Sequence, residues 1–203
     1  MTDNKSEMFP VTDETGRILG SVTRGEAHGG SRVLHPVVHL HVFNSRGELY
    51  LQQRPLWKDI QPGRWDTAVG GHVNYSECLD DNGEPQEFLG ESVMKALRRE
   101  AHEELGISGF TPEFLTTYVF EGAREREQVF SFYTVFDGIV LPSCDELAGG
   151  RFWTREEIAS SLGKDIFTPN FEDEYVKSLK DLDFSKDTMA YIHSQSPYDS
   201  RLS

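Results

Sequence analysis

Cysteine is scarce in this 203-residue chain: Cys78 and Cys144 stand far apart and form no CxxC pair, so no disulfide framework is expected. Basic residues are also short, 20 Lys and Arg against 34 Asp and Glu, for a net charge of −14. Binding a nucleic-acid backbone or an anionic membrane surface calls for clustered cations, so neither is an expected partner. No apolar run reaches the length of a membrane span, and the opening MTDNKSEMFP lacks the apolar core of a signal peptide. A cytoplasmic protein is the expectation. There is no internal repeat and no linker rich in Pro, Gly or Ser, which implies one domain over residues 1–203.

The apolar content, 37%, suffices for one sizeable core. Phe9–Arg24 reads as a β-hairpin around DETGR, and Leu34–Asn44 and Glu48–Arg54 read as strands joined by an Asn-Ser-Arg-Gly turn. A Pro- and Trp-rich loop precedes a short strand, Trp65–Val69, which stops at Gly70-Gly71. Glu84-Pro85 reads as a helix opening, with the helix continuing to Leu105 and capped by Gly106. Strands are expected at Thr111–Phe120, Gln128–Phe136 and Arg151–Thr154, helices at Arg155–Leu162 and Phe171–Leu182, and a loose tail over 194–203. Interleaved strands and helices imply the α/β class, an α/β/α sandwich on a mixed sheet with an N-terminal β-hairpin and an ordered core over about 9–182.

The most informative segment is Arg99-Glu100-Ala-His-Glu103-Glu104-Leu-Gly106-Ile107. At about 100° per residue, Glu100, Glu103 and Glu104 share one arc of a helix, beside an apolar stripe of Val93, Leu97, Ala101 and Leu105. Three crowded carboxylates repel, and one at the stripe's border is costly unless paired. A hard divalent cation relieves both problems, whereas a solvated acidic face with Lys95, Arg98 and Arg99 as ion-pair partners is the plain alternative.

These residues resemble the Nudix box: Gly, five residues, Glu, seven residues, then Arg-Glu-apolar-x-Glu-Glu-x-Gly-apolar. The second half matches throughout, with Glu91 eight residues before Arg99 as the first Glu. Pro85 stands where the box Gly would then fall, which places that Gly at Gly71 and implies a fourteen-residue insertion within about 76–89. The resemblance implies a Nudix fold and a hydrolase that cleaves a phosphoanhydride bond in a small diphosphate-linked substrate with Mg²⁺ or Mn²⁺. Glu100, Glu103 and Glu104 would hold the metal, joined by the downstream Glu127; Glu100 or Glu103 would be the general base, and Arg99 would orient Glu100. Gly71 would allow a tight turn, Arg54 would reach a substrate phosphate, and a homodimer is common among such proteins.

Within that family the chain is similar to the branch of type I isopentenyl diphosphate isomerase. The likeness implies a second site of three histidines and two glutamates, at His28, His35, His72, Glu125 and Glu127, suited to Mn²⁺, Zn²⁺ or Fe²⁺. The isomerase carries a cysteine where this chain has Gly70, and it lacks the full acidic box. Hydrolysis is therefore expected over isomerisation; a non-catalytic Nudix-fold binding module is the other alternative, although such members typically lose box glutamates. His39 and His41 share strand parity with His35 and read as polar residues on a half-solvated strand.

Overall fold

The structure, a computed structural model, describes residues 4–58 and 60–182; the expected tail over 194–203 lies outside them. Strands β1 (Met8–Thr12) and β2 (Ile18–Thr23) form the expected N-terminal hairpin. A single turn, α1 (Arg24–Glu26), capped by Thr23, leads through a π-helical Ala27–Ser31 segment into the main sheet. That sheet comprises β3 (Leu34–Phe43), β4 (Leu49–Gln53), β5 (Trp65–Asp66), β6 (Val69–His72), β7 (Glu113–Glu121), β8 (Arg126–Val135) and β9 (Gly149–Trp153). Its main path runs β5-β4-β3-β8-β7, with β6 on β3 and β9 on β4. It is mixed, since β3 and β8 pair in parallel while the other ladders are antiparallel.

All ten residues of β3 are buried, which follows from its place in the sheet: ladders on both sides and a layer over each face. Val38, Leu40 and Val42 pack with Val93, Ala96, Leu97, Ala101 and Leu105 of α2 (Ser92–Leu105). Phe43 faces the opposite layer, where Ile158 of α3 (Arg155–Ser161) and Phe171 of α4 (Pro169–Glu174) form a second core. Each fully buried Leu or Phe contributes about 1.5–3 kcal/mol, so either layer is amply covered. His39 and His41 are therefore buried between β3 and α4, which corrects the reading of a half-solvated strand. No helix among the described residues is long and apolar enough to cross a membrane.

Helix α2 ends as expected, with Gly106 at φ 64 and its N–H on the His102 carbonyl. Its start differs. The helix begins at Ser92, not near Pro85, because Asp80 accepts from the N–H groups of Asn82 and Glu84 and closes a tight turn. Leu79 and Pro85 then pair across that turn, and Phe88 pairs with Arg17 of the N-terminal hairpin. Position 85 is thus extended chain. The expected last helix is α4 followed by a π-helical stretch, Tyr175–Leu179, and the strand expected at Trp65–Val69 is split between β5 and β6.

Candidate active site

The acidic helix and His28, His39 and His72 line one cleft of about 1650 Å³. Arg99 organises its floor. Its Nε donates to Glu77 Oε1 at 2.8 Å, Nη1 to Glu100 Oε1 at 2.7 Å and Glu103 Oε2 at 3.0 Å, and Nη2 to the His72 carbonyl at 2.9 Å. Burial opposes the charge of Arg99, but Glu77 and Glu100 outweigh it and keep the guanidinium charged. Glu104 accepts from the Gly70 N–H at 3.2 Å and from Gln52 Nε2 at 3.3 Å. Burial raises the pKa of both Glu100 and Glu104, Glu104 more strongly and with Glu100 adding repulsion. Glu103 is turned outward, its side chain half exposed.

Glu77 was not among the residues singled out from the sequence. It lies six positions after Gly71, the spacing the box demands of its first Glu, and it grips Arg99 with both oxygens. Glu91, assigned that place by its distance along the helix, is exposed at the helix start. Twenty-one residues separate Glu77 from Arg99, fourteen more than the pattern's seven, so the insertion follows Glu77. The available signal was the Gly71-x5-Glu77 spacing, masked by counting backward from the helix.

Gly71 lies within β6, not at a turn. A Cβ there would sit 2.0 Å from Glu100 Cδ, so the glycine makes room for the carboxylate. Arg54 lines the cleft, but Nε and Nη2 donate to the Ile60 carbonyl and Nη1 to Asp66 Oδ2 at 3.2 Å. These bonds use three of its five N–H groups and fix the guanidinium at the cleft wall.

Beside the helix, His28, His35, His72 and Glu127 each bring one ligand atom to within 4.8 Å of the others; among the described residues no other group of three or more His, Cys, Asp or Glu does so. His28 and His72 come from the π-helical segment and β6, His35 and Glu127 from adjacent positions of the β3–β8 ladder. Phe9 of the N-terminal hairpin stacks on His72 at 4.2 Å and closes the cluster from above. Glu125 does not join. Strand β8 begins at Arg126, leaving Glu125 in the preceding turn, where its carbonyl accepts from Gly122.

The donor chemistry of the four suits a divalent cation. His35 Nδ1 lies 3.1 Å from the Val33 carbonyl, which places the proton there and leaves Nε2 as a buried lone pair without a partner. Burial lowers the pKa of His35 and, with Arg24 and the other two imidazoles, pushes His72 well below its usual value, so both are neutral. His35 Nε2 and His72 Nε2 lie 4.0 and 3.8 Å from Glu127 Oε1. Burial, then the charge of Glu125, pushes Glu127 up to about 7, a penalty that a bound cation would reverse.

The NUDIX domain matches residues 33–174 of the chain, spanning the sheet, Arg99 with its glutamates, and α4. The chain belongs to the NUDIX family. It is 28% identical to an uncharacterized Nudix hydrolase of Streptomyces coelicolor, covering 87% of this chain and 91% of that protein. It is 32% identical to an isopentenyl-diphosphate Delta-isomerase of Streptomyces griseus, over 81% of this chain and 79% of that one. A crystal structure from Deinococcus radiodurans shares the fold with a TM-score of 0.63 at 21% identity, over 82% of this chain and 96% of that one.

Proposed function

We propose that this NUDIX protein is a metal-dependent hydrolase that cleaves the phosphoanhydride bond of a small diphosphate-linked compound. The observation that carries the reading is that Glu100, Glu104 and Glu127 line one cleft, and that burial raises the pKa of all three. Such an arrangement is costly for a bare protein and is relieved by divalent cations.

Glu100, Glu103 and Glu104, joined by Glu127, would hold Mg²⁺ or Mn²⁺; His28, His35, His72 and Glu127 would hold a second ion, Mn²⁺ or Zn²⁺. Cations held there would neutralise phosphate charge and make water a better nucleophile at neutral pH. The chain's own residues do the rest. Arg99 fixes Glu100 and Glu103 in place, and the Gly70 N–H aims Glu104 into the cleft. Water attacks one phosphorus, the bridging P–O bond breaks, and Glu100 or Glu103 takes the proton of the attacking water.

The isomerase reading draws on the relative of that name and on the histidine cluster. Proton transfer at carbon needs an acid–base side chain in reach, and Gly70 supplies none. Two measurements separate the readings: phosphate release from a diphosphate panel with Mg²⁺ or Mn²⁺, and deuterium uptake from heavy water into isopentenyl diphosphate. Release without uptake is expected. Uptake without release would make the chain an isomerase, and binding with neither would make it a binding module.

A further inference from the structure

His39 and Gly70 pair across the β3–β6 ladder, and the hydrolytic reading leaves the imidazole unused. His39 Nδ1 lies 2.8 Å from Oε2 of Glu174, a carboxylate only 2% exposed. The Tyr118 hydroxyl donates to the same oxygen at 3.2 Å, and His41 Nε2 stands 3.0 Å from the other oxygen without the alignment of a hydrogen bond. Burial opposes ionisation of Glu174, but the two imidazoles outweigh it and hold its pKa well below the usual range. A permanent carboxylate behind the ring keeps the proton on His39 Nδ1 and turns Nε2 the other way. His39 lines the cleft while His41 does not, and Nε2 of His39 makes no hydrogen bond to any described residue.

Gly70 leaves that edge of the ring uncovered, and the fold does not require glycine for it. Its φ is not in the left-handed region, and a Cβ would meet Thr67 Cγ2 at 3.5 Å and His39 Cδ2 and Nε2 at 3.8 and 3.9 Å, ordinary contacts. The neighbouring Gly71 is the opposite case, its Cβ position being filled by Glu100. A side chain at position 70 would thus be accommodated, and it would stand over the outward nitrogen of His39.

We propose that His39 and Gly70 form a phosphate subsite: the imidazole, oriented by Glu174, donates from Nε2 to a non-bridging oxygen of the substrate's diphosphate, and the missing side chain at position 70 admits that oxygen. This rests on the reading of the protein as a diphosphate hydrolase. With Nδ1–H given to Glu174, donation from Nε2 requires the imidazolium. Burial alone would disfavour it, yet Glu174 reverses the balance and raises the pKa of His39. Glu100, Glu103, Glu104, Glu125 and Glu127 line the same cleft, and a fixed cationic donor among them favours an incoming anion.

The test titrates methylenediphosphonate, a diphosphate that water cannot split, into the full chain with Mg²⁺ by calorimetry, alongside KM and kcat on whichever diphosphate is hydrolysed. His39→Asn keeps a donor near Nδ1 and removes Nε2; Gly70→Val covers Nε2 from an exposed position. Each should weaken Kd at least about tenfold, with KM rising more than kcat falls, as expected for a lost hydrogen bond to a charged group. Adding Gly70→Val to His39→Asn should cost little more, because both remove one contact. His39→Gln, which puts a donor near the place of Nε2, should recover part of the loss. Unchanged Kd in Gly70→Val, or additive losses in the pair, would overturn the subsite, as would a wild type that binds no diphosphonate. Should His39→Asn fail to fold, Gly70→Val alone still decides. Binding that obeys this pattern without any hydrolysis would retain the subsite and reject the hydrolase; hydrolysis with unchanged KM in both variants would do the reverse.

Discussion

Gly71 and Glu100 fit together as a void and its filling: the carboxylate of Glu100 occupies the space where a side chain at position 71 would begin, 2.0 Å from Cδ. The box glycine and the first helical glutamate of the box are therefore one steric unit, although twenty-eight positions lie between them.

Gly71→Ala must drive Glu100 out of its place against Arg99. Since catalysis is sensitive to displacements of about 1 Å, a fall in kcat of about 10²-fold is expected. Steady-state phosphate release measures it, and turnover within threefold of wild type would show that Glu100 need not sit there.

Glu104→Gln should abolish most hydrolysis, by about 10²-fold or more, while leaving the fold intact. A carboxylate whose folded pKa is raised works against the folded state as pH climbs above its ordinary value of 4.5. In metal-free buffer at pH 8 the variant should thus melt no lower than wild type. Added Mn²⁺ should raise the Tm of wild type more than that of the variant, which scanning calorimetry reports.

The metal content of purified protein should depend on His35 and not on Glu125. His35→Ala removes the buried lone pair and should lower bound Mn²⁺ or Zn²⁺ by about one ion per chain, whereas Glu125→Gln should leave the count unchanged. Elemental analysis by mass spectrometry distinguishes them; equal loss in both variants would restore Glu125 as a ligand.

Glu174 gives the fold an acid-sensitive joint. Its folded pKa lies well below the ordinary 4.5, so its stabilising effect is complete above that value and is lost as pH falls toward the folded pKa. Glu174→Gln leaves His39 without its counter-charge and should cost about 3 kcal/mol at pH 7. The gap between wild type and variant should narrow below about pH 4.5. Urea titrations at several pH values measure it, and a constant gap down to pH 3 would contradict the assignment.

Much of this arrangement was legible in the chain. The spacing of Arg99, Glu100, Glu103 and Glu104 placed the acidic helix, and Gly106 marked its end, because both signals are local. The helix start was misread because Pro85 suits a first turn as well as an extended chain, and the Asp80 turn that decides between them depends on a backbone that the residue pattern does not display. The partner of Arg99 was missed for a related reason: Glu77 reaches it through space from the far side of an insertion. Glu125 and Glu127 looked alike at a spacing of two, until the strand began between them. Nothing local announced that His39 and His41 would meet Glu174, more than 130 positions on, since that pairing exists only once α4 lies across the sheet.

The grip of Glu77 on Arg99 has a consequence for how this protein can change. Were the glutamate carried on the same helix as the arginine, any added residue would rotate one away from the other. Here the two are joined side chain to side chain, and the chain between them departs after Cys78 and returns at Ser92, whose hydroxyl donates to the Glu77 carbonyl at 2.9 Å. That seam holds the ends of the detour together whatever its length. The exposed turn over 80–84 is thus free to lengthen, shorten or be rewritten as an appendage, while the residues beneath it keep their alignment.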